Sequence, residues 1–460
     1  MWSWDNLVAT LCTLQMPSRK SAVAIVGGGI TGSCAASVLA KHFQEVVVFD
    51  QGRRGPGGRA SHRSVRKSDG VIISDDNVQD QLGPDTLQFD HGCQFFRADS
   101  KEMSEVLLPD WMSNGWVAPW EARLGCLNKS ENAEETDFFG LPARGENVYI
   151  GVGGMHLLPR NILKHAGATV HRGTRVTSVR KNEGKWELRG TRGNAAYHDT
   201  KESEAQKEVD QVLGQADVII FTDISSSSDD WHRASAGVPD SLRQQIPDKS
   251  RLPLFTCMVA LSHPISDMIP YDGFTVGGKS DLWFAARSQS KPGIPQGGSE
   301  CWTLISTPSF AVNEIKETTM RDPATGAFRP QENSYLNSIP GPALFEAFLE
   351  AIKPYVSGAD VPEPIYLQAQ RWGSGLPVPN FLTDEVRDIV GTRYCSKLKS
   401  SLVYPTPEAS KGSSTRDYIV NDELRVYYAG DFCSHRNPGF EASALSGVGV
   451  ARHIVESSLS

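Results

Sequence analysis

The sequence predicts an α/β fold: a domain built on a parallel sheet, interrupted by an α+β domain built on an antiparallel sheet. Three observations predict it. Ala22 to Asp50 reads as strand, glycine-rich turn, helix and second strand. From about residue 231 to 365 the pattern changes, and the strand-like runs PLFTCMVAL, LWFAAR and CWTLIST alternate with Pro/Gly loops. Near the C-terminus the strand LRVYYA runs into Gly430-Asp431 and a helix of small residues, returning to the character of the first unit.

In the first unit, AVAIVGGGITGSCAASVLAKHFQEVVVFD, Val23 to Val26 is a short apolar run that reads as a buried strand. Gly27-x-Gly29-x-x-Gly32 follows at once, then a helix from Ser33 to His42 and a strand from Glu45 to Phe49. A lone GxGxxG is a weak signal, but here strand, helix, second strand and acid stand in the order that a dinucleotide-binding βαβ unit needs. Gly27 makes the tight turn and Gly29 lets a pyrophosphate approach the backbone at the helix start. Gly32 lets the helix pack on the strand. Asp50, eighteen positions beyond Gly32, can accept the two hydroxyls of an adenosine ribose, and its charge argues against a 2′-phosphate.

In QGRRGPGGRASHR, Arg53, Arg54, Arg59 and Arg63 stand among glycines, a pattern suited to a diphosphate. His91, in LQFDHGCQFF, has no second ligand at metal spacing and reads as a hydrogen-bonded loop histidine, so no metal site is expected. Glu102 to Trp120 reads as an amphipathic helix running into WVAPW, and Met155 to Ala166 as a helix. Thr169 to Arg180 reads as one strand, paired as a hairpin with Lys185 to Arg189, and Ala216 to Phe221 as a buried strand. Residues 67–87 and 190–215 are polar excursions, and Ser225 to Ser228 begins a linker. Leu344 to Val356 is an amphipathic helix, Pro364 to Trp372 leads back to the first domain, and the last helix starts at about Phe440. The expected division is an N-terminal extension (1–20), a discontinuous dinucleotide-binding domain (21–100, 148–230 and 366–460), and a second domain (101–147 and 231–365).

The net charge of −8 leaves no electrostatic footprint for nucleic acid or an anionic membrane. Eight scattered cysteines, with no CxxC, indicate neither a zinc site nor a disulfide framework and fit a reducing, cytoplasmic setting. No apolar run approaches a membrane span. Leu7 to Leu14 is apolar but lacks a preceding basic residue, so it makes a poor secretory signal; a short organelle-targeting peptide is the alternative.

The stretches VAIVGGGITGS, GRRGPGGRASHR, FDHGCQFF, YIGVGGM, QRWGSGLP and YYAGD followed by FEASALSG occur in the order seen in renalase-like flavoproteins. The chain resembles this branch of the FAD-dependent amine oxidase superfamily over roughly residues 22 to 455. The resemblance implies an FAD-binding domain of the Rossmann, two-dinucleotide-binding type, with the β-sheet domain as substrate domain over the flavin. It implies that Gly27, Gly29, Thr31, Gly32 and Asp50 hold the ADP moiety and that Gly58 and Arg59 close over the diphosphate. It further implies that Gln94 and Phe95 lie beside the isoalloxazine ring, that Val176 meets the adenine, and that Asp431, after Gly430, accepts from a ribityl hydroxyl. Glu441 and Ala442 would set the last helix near the flavin pyrimidine. The residues agree with FAD independently, because a glycine fingerprint at one end and a Gly-Asp-to-helix stretch at the other imply a cofactor that reaches both. One departure is Gln370-Arg371-Trp372-Gly373-Ser374-Gly375, where aromatic bulk after Trp372 is lost relative to the family.

The resulting expectation is an FAD-dependent oxidoreductase, an oxidase before a dehydrogenase. It takes a hydride from a small donor, of which a reduced nicotinamide dinucleotide isomer is the first candidate, with oxygen as acceptor. No catalytic dyad is visible; Gln94, Trp283, Arg371 and Trp372 are the candidate pocket residues, with Phe284 a further aromatic of a possible cage. The alternatives are an amine oxidase or desaturase of the same superfamily, or a flavin-binding scaffold or redox sensor. Cys93 and Cys433 are conceivable flavin attachment points but read better as buried thiols. Oligomeric state leaves no mark on the sequence.

Overall fold

The computed structural model describes residues 21–73, 83, 85–128, 147–193, 211–223, 226, 238–246, 249–277, 280–317, 332–357, 360–379, 416–436 and 438–458. The N-terminal extension, most of the 190–215 excursion, part of the 67–87 excursion and most of the 225–228 linker lie outside the described residues.

The β-branched run Ala22–Val26 forms a central strand of a six-stranded sheet. The strand order is Tyr418–Asn421, Val426–Ala429, Val218–Phe221, Ala22–Val26, Glu45–Phe49, Thr169–His171. Every neighbouring pair is parallel except the first. Ile25 therefore sits between Val48 and Ile220. Alternation along these strands assigns two buried faces. Val23, Ile25, Val46, Val48, Val218 and Ile220 pack with helices Ile30–Leu39, Leu157–Ala166 and Phe440–Ser457. Ala24, Val26, Phe49, Ile219 and Phe221 pack with Val176, Val179, Trp186 and Leu188 from a three-stranded antiparallel sheet of Thr174–Asn182, Lys185–Arg192 and Gln211–Ala216. The expected single strand from Thr169 to Arg180 is thus two strands in two sheets. Gly173 (φ +58°) turns the chain between them, and its N–H donates to the Gly52 carbonyl at 3.0 Å.

The second sheet also has six strands, in the order Pro364–Pro379, Lys249–Leu261, Glu300–Ser306, Leu282–Arg287, Gly273–Val276, Leu124–Leu127. It is antiparallel apart from its last pair. On one face Phe255, Cys257, Phe274 and Trp302 pack against Phe310, Leu336, Leu344 and Phe348 of helices Pro308–Glu317, Asn333–Ser338 and Pro340–Ile352. On the other, Leu254, Phe284, Ala286 and Ile305 share a core with the parallel-sheet domain. The fold class read from the sequence is the one adopted, but two boundaries move. Pro364–Pro379 pairs along Lys249–Leu261 instead of leading back to the first domain, so the expected return at 366 comes after the strand ends. Of the segment 101–147, Leu124–Leu127 joins the antiparallel sheet, whereas Met103, Leu107, Leu108 and Trp111 are buried in the core shared with the parallel sheet. No helix among the described residues is long and apolar enough to cross a membrane.

The last helix reaches the first by close backbone approach. A Cβ on Gly447 would collide with the Thr31 carbonyl oxygen. Gly447→Ala is expected to destabilise the protein by about 1–3 kcal/mol through overpacking, whereas Gly298→Ala, where a Cβ meets nothing within 4 Å, should be nearly neutral. Urea unfolding of the two variants checks this; equal midpoints would mean that the helices tolerate separation.

Candidate cofactor and substrate site

The glycine-rich turn divides into positions filled by protein and a position left open. A Cβ on Gly32 would collide with the Gly27 carbonyl oxygen, so this glycine serves helix–turn packing. A Cβ on Gly29 would find no protein atom nearer than the Gly57 carbonyl oxygen at 3.8 Å and Gly58 Cα at 3.9 Å. Gly29 is the N-cap of helix Ile30–Leu39, which has no side-chain cap and no acid in its first turn. The first N–H groups of that helix are therefore unmatched by side chains and suit an anion. Asp50 stands on one side of this opening, buried, with Oδ2 accepting from Gly28 N at 2.7 Å and Oδ1 from Gly52 N at 2.8 Å. Arg59, next to the Gly58 that faces Gly29, donates from its guanidinium to both oxygens of Asp431, at 2.8 and 2.6 Å. Such forked pairs are the stronger kind of ion pair. Arg59 also donates to the Gly375 carbonyl at 3.2 Å. Arg63, expected with the diphosphate loop, instead reaches Gln368 and Gln370 of the antiparallel sheet.

The turn after Asp90 lies against this loop. Cys93 N donates to the Arg59 carbonyl at 2.7 Å. Phe95 packs with Trp120 and Phe284, at ring-centroid distances of 6.0 and 5.8 Å, and Trp283 belongs to the same core. Trp372 stacks on His91 at 5.5 Å and donates from Nε1 to the His91 carbonyl at 2.8 Å. Gln94, Phe95 and Trp372 thus meet at the 90–95 turn, Trp283 belongs to the large core that Phe95 and Trp372 also join, and Arg371 lies on the other face of its strand. Residues 368, 370 and 372 face the first domain. The pleat turns Arg371 to the opposite face, opposite Phe255 and near Tyr335 in the helical layer. Burial lowers its guanidinium to about 10. Burial likewise holds His91 neutral, well below the usual imidazole range, helped by Arg63. It pushes the Cys93 thiol up to about 12.

Val176 lies in the strand that starts at Thr174, whose N–H donates to the Asp50 carbonyl at 2.8 Å. Glu441 accepts from Asp99 N at 2.7 Å and Ser100 N at 3.0 Å, so its carboxylate ties down the 99–100 loop. Ala442 is buried beside it, and Phe440 stacks on Phe96 at 4.0 Å.

Sequence reasoning missed a buried polar cluster beneath Gln94. Lys291 Nζ donates to Asp90 Oδ2 at 2.9 Å and to Gln94 Oε1 at 3.1 Å. Asp90 Oδ1 accepts from Met155 N and pairs with His62 Nδ1, both at 2.9 Å. Burial alone would raise the Asp90 carboxyl, but Lys291 and His62 hold it far below the usual carboxylate range. Removing one partner of such a buried pair costs about 3–5 kcal/mol. His156 stacks on His62 with centroids 4.6 Å apart and rings 19° from parallel. His62, Asp90 and His156 are residue types that bind metals, and their ligand atoms lie within 4.8 Å of one another. Nearly parallel rings, however, send their in-plane lone pairs in parallel and not to one point. Lys291 also already neutralises the carboxylate, so a divalent ion would add unmatched buried charge. The signal for Lys291, SKPG in a loop, is too short to place it.

Comparison with known proteins places the fold. Residues 25–107 match the family model of the NAD(P)-binding Rossmann-like domain. Over its whole length the chain is similar in fold to reduced UDP-galactopyranose mutase (TM-score 0.55, 10% identity, covering 97% of this chain and 95% of that one). It is also similar to cyclohexylamine oxidase from Brevibacterium oxydans (TM-score 0.52, 13% identity, 96% and 100%). Residues 25–107 are therefore Rossmann-like, and the chain as a whole shares the α/β fold of these two proteins.

Burial pushes the Asp50 carboxyl up to about 6, against the Gly28 and Gly52 N–H groups, which pull it down. The folded state then binds this proton more tightly than the unfolded chain. The contribution of Asp50 to stability is greatest below the unfolded value of 3.8 and falls as pH rises through about 6. The difference in unfolding free energy between Asp50→Asn and the parent apoprotein should move in favour of the variant, by about 2 kcal/mol, between pH 4 and 7. Urea titrations across that range measure it, and a pH-independent difference would contradict a raised Asp50.

Proposed function

We propose that the chain is an FAD-dependent oxidoreductase of the renalase-like type. The observation that carries this reading is the uncapped helix start at Gly29, open to a ligand, with Asp50 bonded to the neighbouring Gly28 N–H and Arg59, which pairs with Asp431, next in the chain to the Gly58 that faces Gly29. That span suits a cofactor with an adenosine end, a diphosphate and a second polyhydroxy arm. Asp50 would hold the adenosine ribose, the helix start and Arg59 the diphosphate, and Asp431 the ribityl arm. When bound, the flavin would supply two-electron chemistry, accepting a hydride at N5 and returning electrons to oxygen.

The chain's own residues would orient the donor and keep water out. Phe95 packs on Trp120 and Phe284, and these rings and Trp283 belong to the apolar core shared by the two sheets. Burial makes His91 a weak base and keeps the Cys93 thiol protonated, so neither is a strong proton acceptor or nucleophile near pH 7. That favours a donor that yields a hydride without first being deprotonated, and a reduced nicotinamide dinucleotide isomer is of that class. An amine donor is the second reading, favoured by the aromatic grouping of Trp283, Phe284 and Trp372.

Two experiments test the proposal. Gly29→Val places a side chain in the opening, where its Cβ meets protein no nearer than 3.8 Å, so the variant should be folded and colourless. A normal flavin spectrum would remove the loop from the cofactor site. Anaerobic mixing of the parent protein with reduced nicotinamide isomers should bleach the flavin, and oxygen should restore it with release of hydrogen peroxide. Bleaching by amines alone would establish the second reading, and a flavin reducible only by dithionite would overturn both.

A further inference from the structure

We propose that Lys291 is the positioning residue of the site: it reaches from the antiparallel domain into the first domain and locks the 90–94 turn against the cofactor loop by dictating the orientation of the Gln94 amide. The turn that carries Lys291 is docked on the first domain at several points. Gly153 N donates to the Pro292 carbonyl at 2.9 Å, and Trp120 Nε1 donates to Ser290 Oγ at 3.1 Å. From there the ammonium enters a fully enclosed position, its side chain 2% exposed. Its three protons have three destinations: Asp90 Oδ2, Gln94 Oε1, and the face of Trp120, whose centroid lies 5.5 Å from Nζ.

An ammonium is a donor only, so it admits one flip of the Gln94 amide, the one that presents Oε1. The amide nitrogen is thereby turned to the carbonyls of Asp90 and Gly92, which it bonds together, closing the turn. The next N–H, that of Cys93, lies on the Arg59 carbonyl at 2.7 Å, and the same Arg59 holds Asp431. Lys291 is therefore linked through Gln94 and the 92–93 backbone to the guanidinium beside the cofactor opening. With an apolar side chain at 291, Gln94 loses the partner that selects its flip, and its nitrogen is free to leave the two carbonyls. The effect of this link on a bound flavin rests on the function proposed above; the locking of the turn does not.

The test is hydrogen exchange, read by mass spectrometry on the protein as purified, with Lys291→Met and with the double variant Asp90→Asn/Lys291→Met. The double variant removes both charges of the pair, so it folds even if the single variant, with its unmatched buried carboxylate, does not. In the double variant, peptides covering residues 91–96 should exchange at least about tenfold faster than in the parent, while those covering Ile30–Leu39 and Lys249–Leu261 stay within about twofold. The tryptophan emission of folded variants should also change as the cation leaves Trp120. Unchanged protection of 91–96, or a uniform acceleration across all peptides, would overturn the proposal and leave Lys291 an ordinary stabilising residue. Neither readout depends on which cofactor is bound. Where FAD is present, its visible spectrum in the double variant should shift with the flavin still bound. If the protein carries no flavin while 91–96 still loosens, the cofactor reading fails and the positioning role stands.

Discussion

The forked ion pair between Arg59 and Asp431 joins residues 372 positions apart in the chain, and the arrangement of the site depends on it. Asp431 keeps only 2% of its side-chain surface exposed, a burial that a carboxylate tolerates when matched by charge-assisted hydrogen bonds. Arg59 can reach it because the first and last strands of the parallel sheet lie close together, on either side of Val218–Phe221. The Arg59 carbonyl meanwhile accepts from Cys93, and its guanidinium touches the carbonyl of Gly375 in the antiparallel sheet. One residue thus ties the glycine-rich loop, the C-terminal return, the 90–94 turn and the covering sheet to a common point.

Around that point the two domains share one apolar core, not two separate ones, with Leu254, Trp283 and Phe284 of the second sheet packed with Ile25, Phe95 and Trp120. Two of the charged groups inserted into it are held by partners: Asp90 by Lys291, His62 and Met155 N, and Arg63 by Gln368 and Gln370. Such groups cost free energy when unmatched and orient one another when matched. The interface is consequently specified in register by these matched groups. That is expected where a cofactor does the chemistry and the protein does the orienting.

The parts legible in the sequence are those set by local pattern. Gly27 to Asp50 declares its strand, turn, helix and strand because every step obeys a short-range rule, and the Gly430-Asp431 junction does so too. Parity along a strand is local as well, but its phase is not. Arg371 and Trp372 are adjacent, and which of them faces the site is decided by the pairing of Leu254 with Trp372, which no local rule supplies. Pro364–Pro379 follows the same rule, since a long strand at a sheet edge has the local pattern of a connection and is defined by its pairing with Lys249–Leu261. The split at Gly173 depends on a hydrogen bond to Gly52, far away in the chain. Lys291 is the extreme case: its meaning lies wholly in three groups brought to it by tertiary structure.

The central claim is that one ligand spans from Asp50 past Gly29 to Asp431. Calorimetric titration of the apoprotein with FAD, FMN, ADP and NAD in parallel tests it most directly. The account predicts that FAD binds at least about a hundredfold more tightly than either FMN or ADP, because each fragment engages one end only and linked fragments gain by effective concentration. NAD binding as tightly as FAD, or FMN binding as tightly as FAD, would contradict it.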